Sequence, residues 1–219
     1  MKRIIEPELM SDKEQAIAYA NANFEEPHNH FLKLLRYSIE KKIIFSGNVI
    51  DLGTGTADIA IRLAKTYPSF NIDAVDGSIS MLHEAKKAIN KANLRNRIKL
   101  VHTLIQETVI MEKEYVVVMS NSLLHHLHNP MDLWDLVKKM KGTPIIFIMD
   151  LARPKNKEVV EELVNKYARE EPKILQRDFR NSLKAAFTPD EVTSQLQHAG
   201  LSSLKVSTVS DRHLIVSNC

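Results

Sequence analysis

The sequence predicts an α/β protein, with a mostly parallel β-sheet, helices on both of its faces and an antiparallel hairpin at one edge. Short apolar, β-branched runs alternate with helix-like segments between residues 48 and 149, and this alternation is typical of parallel strands joined by helical crossovers. Two short strand-like runs separated by Ser-Asp-Arg end the chain and indicate the hairpin. At 219 residues and 44% hydrophobic content, the chain is long enough for one domain with a complete core.

The first predicted elements are one or two helices in residues 11–42. Ser11 is expected to cap the first helix, with Glu14 as its capping-box partner, and Pro27 is expected to divide the region. The alternating part follows, with strands at 48–51, 72–76, 98–102, 115–120 and 144–149 and helices at 57–66, 79–92 and 131–141.

The end of the chain carries clearer boundary signals. Thr188 is a predicted N-cap, Pro189 fits the first helical position, and Gly200 marks the helix end. The runs 204–209 and 213–217 then form the predicted hairpin.

Two segments lie outside this regular pattern. Residues 152–187 are charged and helical in pattern, and they are too long for a simple connection, so we expect a helical insertion that acts as a substrate lid. We expect residues 1–45 to form an N-terminal helical cover and residues 46–219 to form the main domain.

The turn after the first strand, "VIDLGTGTA", indicates a nucleotide site. Gly53 and Gly55 fit a dinucleotide fingerprint, but its third glycine falls on Asp58, whose carboxylate would repel a pyrophosphate at the helix N-terminus. An acid followed by G-x-G-x-[GA] fits instead, with Asp51 as the acid and Ala57 as the last small residue. A carboxylate at the strand end suits a positively charged ligand.

With these motifs the chain resembles the class I S-adenosylmethionine-dependent methyltransferases, which have a Rossmann-like, doubly wound, seven-stranded sheet. Residues 46–150 carry the resemblance through "VIDLGTGTA", "IDAVDGSISMLHEAKK" and "EYVVVMSNSLLHHLHNP", and residues 188–219 match the family's closing helix and hairpin. The resemblance implies that Asp76 binds the ribose hydroxyls and that Met81 and Leu82 lie behind the adenine.

The implied cofactor is S-adenosyl-L-methionine, and the implied product is S-adenosyl-L-homocysteine. One departure from the family concerns the adenine, because Thr103-Leu104 replaces the usual Gly-Asp, so that Thr103, Gln106 or the backbone must supply the contact. The expected cofactor-binding residues are Asp51, Gly53, Thr54, Gly55, Asp76, Gly77, Ser78, Met81, Thr103, Leu104, Ile105, Asn121, Ser122 and Tyr19.

The paired histidines after the fourth strand supply the candidate catalytic group. The resemblance implies that His125 faces the cofactor, as a base or substrate contact, while His126 packs against the sheet. A packing role for His125 remains the alternative. We expect no metal, because adjacent histidines on a helix diverge, and we expect His28 and His30 at the surface.

The leading helices and the insertion carry two further candidate groups. Tyr19 is a candidate for a cation–π contact with the sulfonium, whereas core packing suits Phe31 better. The basic residues of the insertion either bind an anionic substrate or form a solvated face, and we favour the second; they are Arg153, Arg177, Arg180 and Lys184.

These features predict methyl transfer by direct in-line displacement to an O, N, S or C atom of a small molecule. The alternatives are an RNA or protein methyltransferase, for which a net charge of +3 gives little support, and a non-catalytic binding protein. The stretch 120–123 lacks the Asn/Asp-Pro-Pro-aromatic loop of nucleobase amine methyltransferases. The single cysteine, Cys219, and the absence of a signal-peptide or membrane-spanning pattern favour a cytoplasmic protein without disulfides.

Overall fold

A computed structural model of the protein describes residues 1–108 and 113–219. The described residues form seven strands: β1 (Gly47–Leu52), β2 (Phe70–Asp76), β3 (Ile98–His102), β4 (Val117–Asn121), β5 (Ile145–Leu151), β6 (Lys205–Thr208) and β7 (His213–Ser217). They also form eight α-helices: α1 (Lys13–Asn21), α2 (Glu25–Lys41), α3 (Asp58–Thr66), α4 (Ile79–Lys91), α5 (Met131–Lys138), α6 (Lys157–Tyr167), α7 (Lys173–Ala185) and α8 (Pro189–Ala199).

All seven strands belong to one sheet with the order β3-β2-β1-β4-β5-β7-β6. The first five strands are parallel, and β7 pairs antiparallel with both β5 and β6. The predicted fold class, the alternation and the C-terminal hairpin are therefore confirmed. Because the strand order reverses beside β1, the carboxyl ends of β1 and β4 border the crevice where open α/β sheets bind ligands.

The sheet is covered on both faces, which explains why its central strands are apolar throughout. Every residue of β5 is buried, as are the last four residues of β1. Phe31 of α2 belongs to the cluster on one face, and Trp134 of α5 belongs to the cluster on the other. This two-sided burial fixes the strand ends and the turns that follow them.

Some predicted boundaries are wrong at the N-terminus. Asp12, not Ser11, caps α1, because its carboxylate accepts from the Gln15 backbone N–H at 2.8 Å. Pro27 does not separate the two helices but lies in the first turn of α2, where its missing N–H has no helical acceptor in any case. The break falls just before α2.

The two ends of the insertion lie side by side at the edge of the sheet beyond β5. Ala152 and Phe187 form an isolated parallel bridge, and the Arg153 backbone N–H donates to the Phe187 carbonyl at 3.0 Å. Helices α6 and α7 lie between these points and share a small apolar cluster that includes Leu163 and Leu183. The predicted helical insertion is present, and its role as a lid stays a prediction.

Residues 1–10, which we call the N-terminal strap, run across the insertion and the strand ends. The Met1 amino group donates to the Lys155 carbonyl at 2.7 Å, and the Arg3 guanidinium donates to the Ala185 carbonyl at 2.6 Å and lies 3.9 Å from the Phe187 ring centroid. These contacts hold a segment that has no secondary structure of its own. Among the described residues, none of the helices combines the length and apolarity that crossing a bilayer requires.

Candidate functional site

The glycine turn after β1 places a buried carboxylate at the strand end. Asp51 is 3% exposed, and it accepts a hydrogen bond from the Thr54 hydroxyl at 2.6 Å. Burial raises the pKa of Asp51 to about 7, against the lowering effect of that hydrogen bond. The chain turns away through Gly53 and Gly55, at φ angles of 72° and 55° that favour glycine. A cation placed beside Asp51 would favour its ionised form.

Asp76 connects this turn to the end of β2. One of its carboxylate oxygens accepts from the Gly55 backbone N–H and the other from the Ser78 backbone N–H, both at 2.8 Å. Burial nevertheless raises the pKa of Asp76 above its ordinary value. The carboxylate therefore lies at the crevice between the first two strand ends, with its orientation fixed by backbone donors.

A cavity of about 550 Å³ lies above these strand ends. A smaller cavity of about 40 Å³ shares lining residues with it, including Tyr19 and Asn121. Asp51 and Thr54 line the smaller cavity. The larger one is lined by most of the other predicted cofactor residues: Tyr19, Gly53, Asp76, Gly77, Ser78, Met81, Leu104, Ile105, Asn121 and Ser122.

Two observations indicate that the cavity is shaped for a ligand. The Asn121 side-chain oxygen at the end of β4 is buried and has no hydrogen-bond partner among the described residues. Apart from Gly55 and its two chain neighbours, no described residue has an atom within 4 Å of the position that a Cβ on Gly55 would take. Next to Asn121, Ser122 has a φ of 57°, which is unusual outside glycine and is often found at functional sites.

The turn after β3 contains Thr103 and Leu104, which replace the Gly-Asp pair of the family. Leu104, Ile105 and Gln106 line the cavity, whereas the Thr103 hydroxyl donates to the Leu104 carbonyl at 3.3 Å. A Cβ on Gly77 would lie 2.8 Å from the Leu104 side chain, so the two turns approach closely. This wall of the cavity is therefore apolar, apart from Gln106 and the backbone.

Aromatic residues of the leading helices close the cavity from above. Tyr19 lines both cavities, and its ring centroid is 4.5 Å from that of Phe24. Phe31 is fully buried against Phe147, so the core role favoured for it is confirmed. The surface position expected for His28 is wrong, because this side chain is buried and its Nδ1 lies 2.6 Å from an Asp58 carboxylate oxygen.

The burial of the paired histidines is the reverse of that expected from the sequence, since His125 and not His126 is the more buried. His125 is only 2% exposed, and its Nδ1 lies 2.5 Å from Asp150 at the end of β5, whereas the His126 side chain is 15% exposed. The residues form a 3₁₀ turn (Leu124–His126), in which the first imidazole faces Asp150 of the sheet. Both histidines nevertheless line the larger cavity.

Electrostatics divides the two imidazoles. Burial alone would lower the pKa of His125, but the Asp150 carboxylate outweighs burial and raises it. Burial lowers the pKa of His126 to about 3, and the neighbouring His125 adds to the effect. Since a carboxylate can only accept, the neutral form of His125 carries its proton on Nδ1, beside Asp150, and has its lone pair on Nε2.

Sequence reasoning missed Asp150 and Glu6. Asp150 lies near the end of an apolar strand, "IIFIMDL", which is the same signal that singled out Asp51 and Asp76. Glu6 lies in the strap, and no periodicity or motif connects it with residues more than a hundred positions later. In the structure its carboxylate is 10% exposed and lies 3.6 Å from His125 Nε2 and 3.5 Å from His126 Nδ1.

Three arginines of the insertion pair with carboxylates of the chain. Arg153 donates to Glu191 at 2.5 Å, and Arg180 donates to both oxygens of Glu161 at 2.7 and 2.8 Å. Arg177 contacts its neighbour Asp178. These three arginines are therefore not an open anion-binding surface.

Residues 49–142 match a family model described as a methyltransferase domain. A curated relative, the tRNA1(Val) (adenine(37)-N6)-methyltransferase of Pedobacter heparinus, is 35% identical over 88 residues, which are 39% of this chain and 37% of the relative. The match thus spans little more than a third of that relative's length.

Solved structures resemble the chain over nearly its whole length. A putative S-adenosyl-L-methionine-dependent methyltransferase from Methanococcus maripaludis superposes with a TM-score of 0.72 at 22% identity, covering 98% of this chain and 96% of that one. The plantazolicin methyltransferase, solved in complex with S-adenosylhomocysteine (SAH), gives 0.71 at 17% identity and covers 96% and 91%. At these identities the likeness establishes the fold.

Proposed function

We propose that this chain, which has the class I S-adenosylmethionine-dependent methyltransferase fold with its methyltransferase domain at residues 49–142, transfers a methyl group from S-adenosylmethionine to a small molecule. The observation that carries the proposal is the covered cavity at the sheet's switch point, which joins the carboxylates at the ends of β1 and β2 to the paired histidines.

The polar groups of the cavity fit the cofactor. Asp51 and Asn121 present oxygen acceptors to its positively charged amino acid end, and the Asn121 oxygen has no partner among the described residues. Asp76 offers carboxylate oxygens to the ribose hydroxyls, and the apolar side chains of Met81 and Leu104 suit the adenine. The proposed set of cofactor-binding residues is completed by Gly53, Thr54, Gly55, Gly77, Ser78, Thr103, Ile105, Ser122 and Tyr19.

S-adenosylmethionine, when bound, supplies a methyl group that its sulfonium already activates. The chain's own residues then have to align the acceptor and exclude water. Helix α7 and the strap lie over the histidine end of the cavity, where Ser182 and Leu127 belong to its lining. We therefore propose that residues 1–45 and 152–187 form the cover of the site.

We assign contact with the acceptor to His125. Asp150 holds its Nδ1, so that Nε2 is the atom with a free lone pair, and the imidazole belongs to the cavity wall. The buried position fixes the ring in one orientation. A group held in this way is suited to activate a nucleophile that must lose a proton.

The dimensions of the cavity support a small acceptor. About 550 Å³ lies within the usual range for small-molecule pockets, and cofactor and acceptor have to share it. Carboxylates engage Arg153, Arg177 and Arg180 of the insertion, which argues against a phosphate-binding groove there. An RNA acceptor, which the name of the curated relative suggests for that enzyme, would have to insert a single base, and a protein acceptor would have to insert a single side chain.

Transfer of a labelled methyl group tests the proposal. Purified protein and S-adenosylmethionine labelled on the methyl group are incubated with metabolite, RNA and protein fractions of a cell extract. We expect label in the metabolite fraction, and loss of it with an Asp76→Ala variant. Label in RNA or protein would favour the alternative acceptors, and no transfer despite measured cofactor binding would favour a non-catalytic binding protein.

A further inference from the structure

We propose that Glu6, His125 and His126 form a binding site for a divalent metal ion of the Zn²⁺ type, beside the position of the acceptor. One donor atom from each of the three residues lies within 4.8 Å of the others. The sequence argument against a metal assumed that the adjacent histidines diverge from a helix. Instead, their ring centroids in the 3₁₀ turn are 4.3 Å apart, and the strap supplies a carboxylate between them.

The distances from the Glu6 carboxylate to the two imidazoles match tetrahedral coordination. Zn–N and Zn–O bonds of about 2.0–2.2 Å at tetrahedral angles place two ligand atoms roughly 3.3–3.6 Å apart. Glu6 Oε1 lies 3.6 Å from His125 Nε2 and 3.5 Å from His126 Nδ1. These two separations are too long for good hydrogen bonds, and each matches the spacing of two atoms that ligate one ion. The two imidazole nitrogens lie within 4.8 Å of each other.

The surroundings also resemble those of a metal site. Asp150 lies 2.5 Å from Nδ1 of His125, and a carboxylate on the far nitrogen of a ligating histidine orients the ring and raises its basicity. Ser182 donates to Glu6 at 2.9 Å and fixes the position of that carboxylate. His126 Nδ1 is 3.4 Å from the Pro7 carbonyl, a contact long enough to be given up for an ion.

Three protein ligands leave a fourth position for a water molecule or a substrate, as in catalytic zinc sites built from two histidines and a glutamate. His125, His126 and Ser182 all line the larger cavity, so the open position would face it. Only the next step rests on the proposed function. If the protein is a methyltransferase, the acceptor is a molecule whose oxygen binds the ion and becomes a better nucleophile. His125 would act on the acceptor through the ion.

Metal binding by the protein alone tests the inference. Untagged protein is freed of metal with a chelator and titrated with Zn²⁺ by calorimetry, and the zinc-loaded protein is examined by X-ray absorption spectroscopy. We expect one ion per chain, with a first shell of N and O ligands at about 2.0–2.2 Å that includes two imidazoles. Substoichiometric binding, or a first shell with fewer than two imidazoles, would overturn the inference.

Variants identify the ligands. Glu6→Gln and His126→Ala should each weaken Zn²⁺ binding by ~10-fold or more. The matched controls Glu14→Gln and His198→Ala change exposed residues outside the cluster and should bind as the parent does. Equal binding by both cluster variants and the controls would refute the site, and absorption spectra of the parent protein decide the question if a variant fails to fold.

The same samples keep the two proposals apart. Titration with SAH reports the cofactor site without any metal or turnover. Zinc binding without methyl transfer would leave the metal site standing and remove the proposed function. Methyl transfer that persists at its full rate in zinc-free protein shown to carry no metal would remove the ion from the reaction.

Discussion

Asp51 gives the most direct prediction about the cofactor site, because its protonation should be linked to cofactor binding. Burial raises the pKa of this carboxyl from 3.8 to about 7, so at pH 6 about nine-tenths of the ligand-free protein carries a proton there. The positively charged end of S-adenosylmethionine requires the ionised form. Binding at pH 6 should therefore release close to one proton per ligand, whereas binding at pH 8.5 should release almost none.

The affinity should change accordingly. Below the ligand-free pKa of about 7, affinity should fall roughly tenfold per pH unit until the pKa of the complex is reached. Calorimetric titrations in two buffers of different ionisation enthalpy measure the proton release, and a pH series measures the slope. An Asp51→Asn variant should bind less tightly at pH 8, by about 1.5–3 kcal/mol, and should lose the pH dependence between 5 and 8.

Other titrating groups lie near enough to need a control. Asp76 raises the pKa of Asp51, and His28 lines the same small cavity. Changing the exposed Asp135 to Asn should leave both slope and proton release as in the parent. A flat affinity profile with no proton release at pH 6, or an Asp51→Asn variant that keeps the parent's slope, would contradict the placement of the cationic end beside Asp51.

The same shift predicts an effect on stability. A folded-state pKa above the unfolded value stabilises the fold while the group is protonated, and this contribution is lost as pH rises from about 4 to about 7. Asp51→Asn should therefore raise the Tm of the ligand-free protein at pH 8 and change it little near pH 4. The thermal unfolding midpoint at both pH values is the measurement, and an equal shift at both would assign the effect to packing.

Three further predictions concern the histidines, the ribose site and the cover. His125→Ala should lower turnover by ~10²-fold and should also lower Tm, because the buried Asp150 loses its partner. His126→Ala should lower Tm much less, and melting curves that reverse this order would contradict the deeper burial of His125. Asp76→Ala should weaken SAH binding by about 1–3 kcal/mol in a calorimetric titration, and unchanged affinity would exclude the ribose contact. Adding SAH should reduce hydrogen exchange in the strap, α1 or α7, and equal exchange in both states would argue against a cover that orders on binding.

The fold was largely predictable because its signals are local. Strand and helix periods, the Thr188 cap and the Gly200 stop depend on a few neighbouring residues, and the structure contains each of them. The same is true of the Asp51 and Asp76 carboxylates, since each ends an apolar strand and therefore had to lie at one edge of the sheet. Asp150 is the residue before the last of β5, as Asp51 is in β1, and could have been predicted on that ground.

What could not be predicted depends on long-range contacts of irregular chain. The strap has no periodic pattern of apolar residues. Its position depends on backbone carbonyls at the end of α7 and around the 3₁₀ turn, which have no helical partner and accept hydrogen bonds from Arg3. Arg3 donates to the carbonyls of Ala185, His125 and Leu127. A single guanidinium thus connects the insertion to the histidine turn, and it brings Glu6 to the imidazoles.

The exchange of the two histidines follows from the same geometry. In an α-helix, adjacent side chains point about 100° apart, and either imidazole could have faced the sheet. The backbone N–H of His125 lies 3.3 Å from Asp150, whose other oxygen contacts the imidazole of the same residue. A buried carboxylate that contacts both groups requires this residue to face the sheet, and His126 is left beside the strap. The partner that decides the orientation is therefore Asp150. An Asp150→Asn variant, in which the amide is a weaker partner for imidazole, should loosen His125 and give both rings similar NMR chemical-shift titrations. Retention of two distinct titrations would show that the 3₁₀ turn alone sets the orientation.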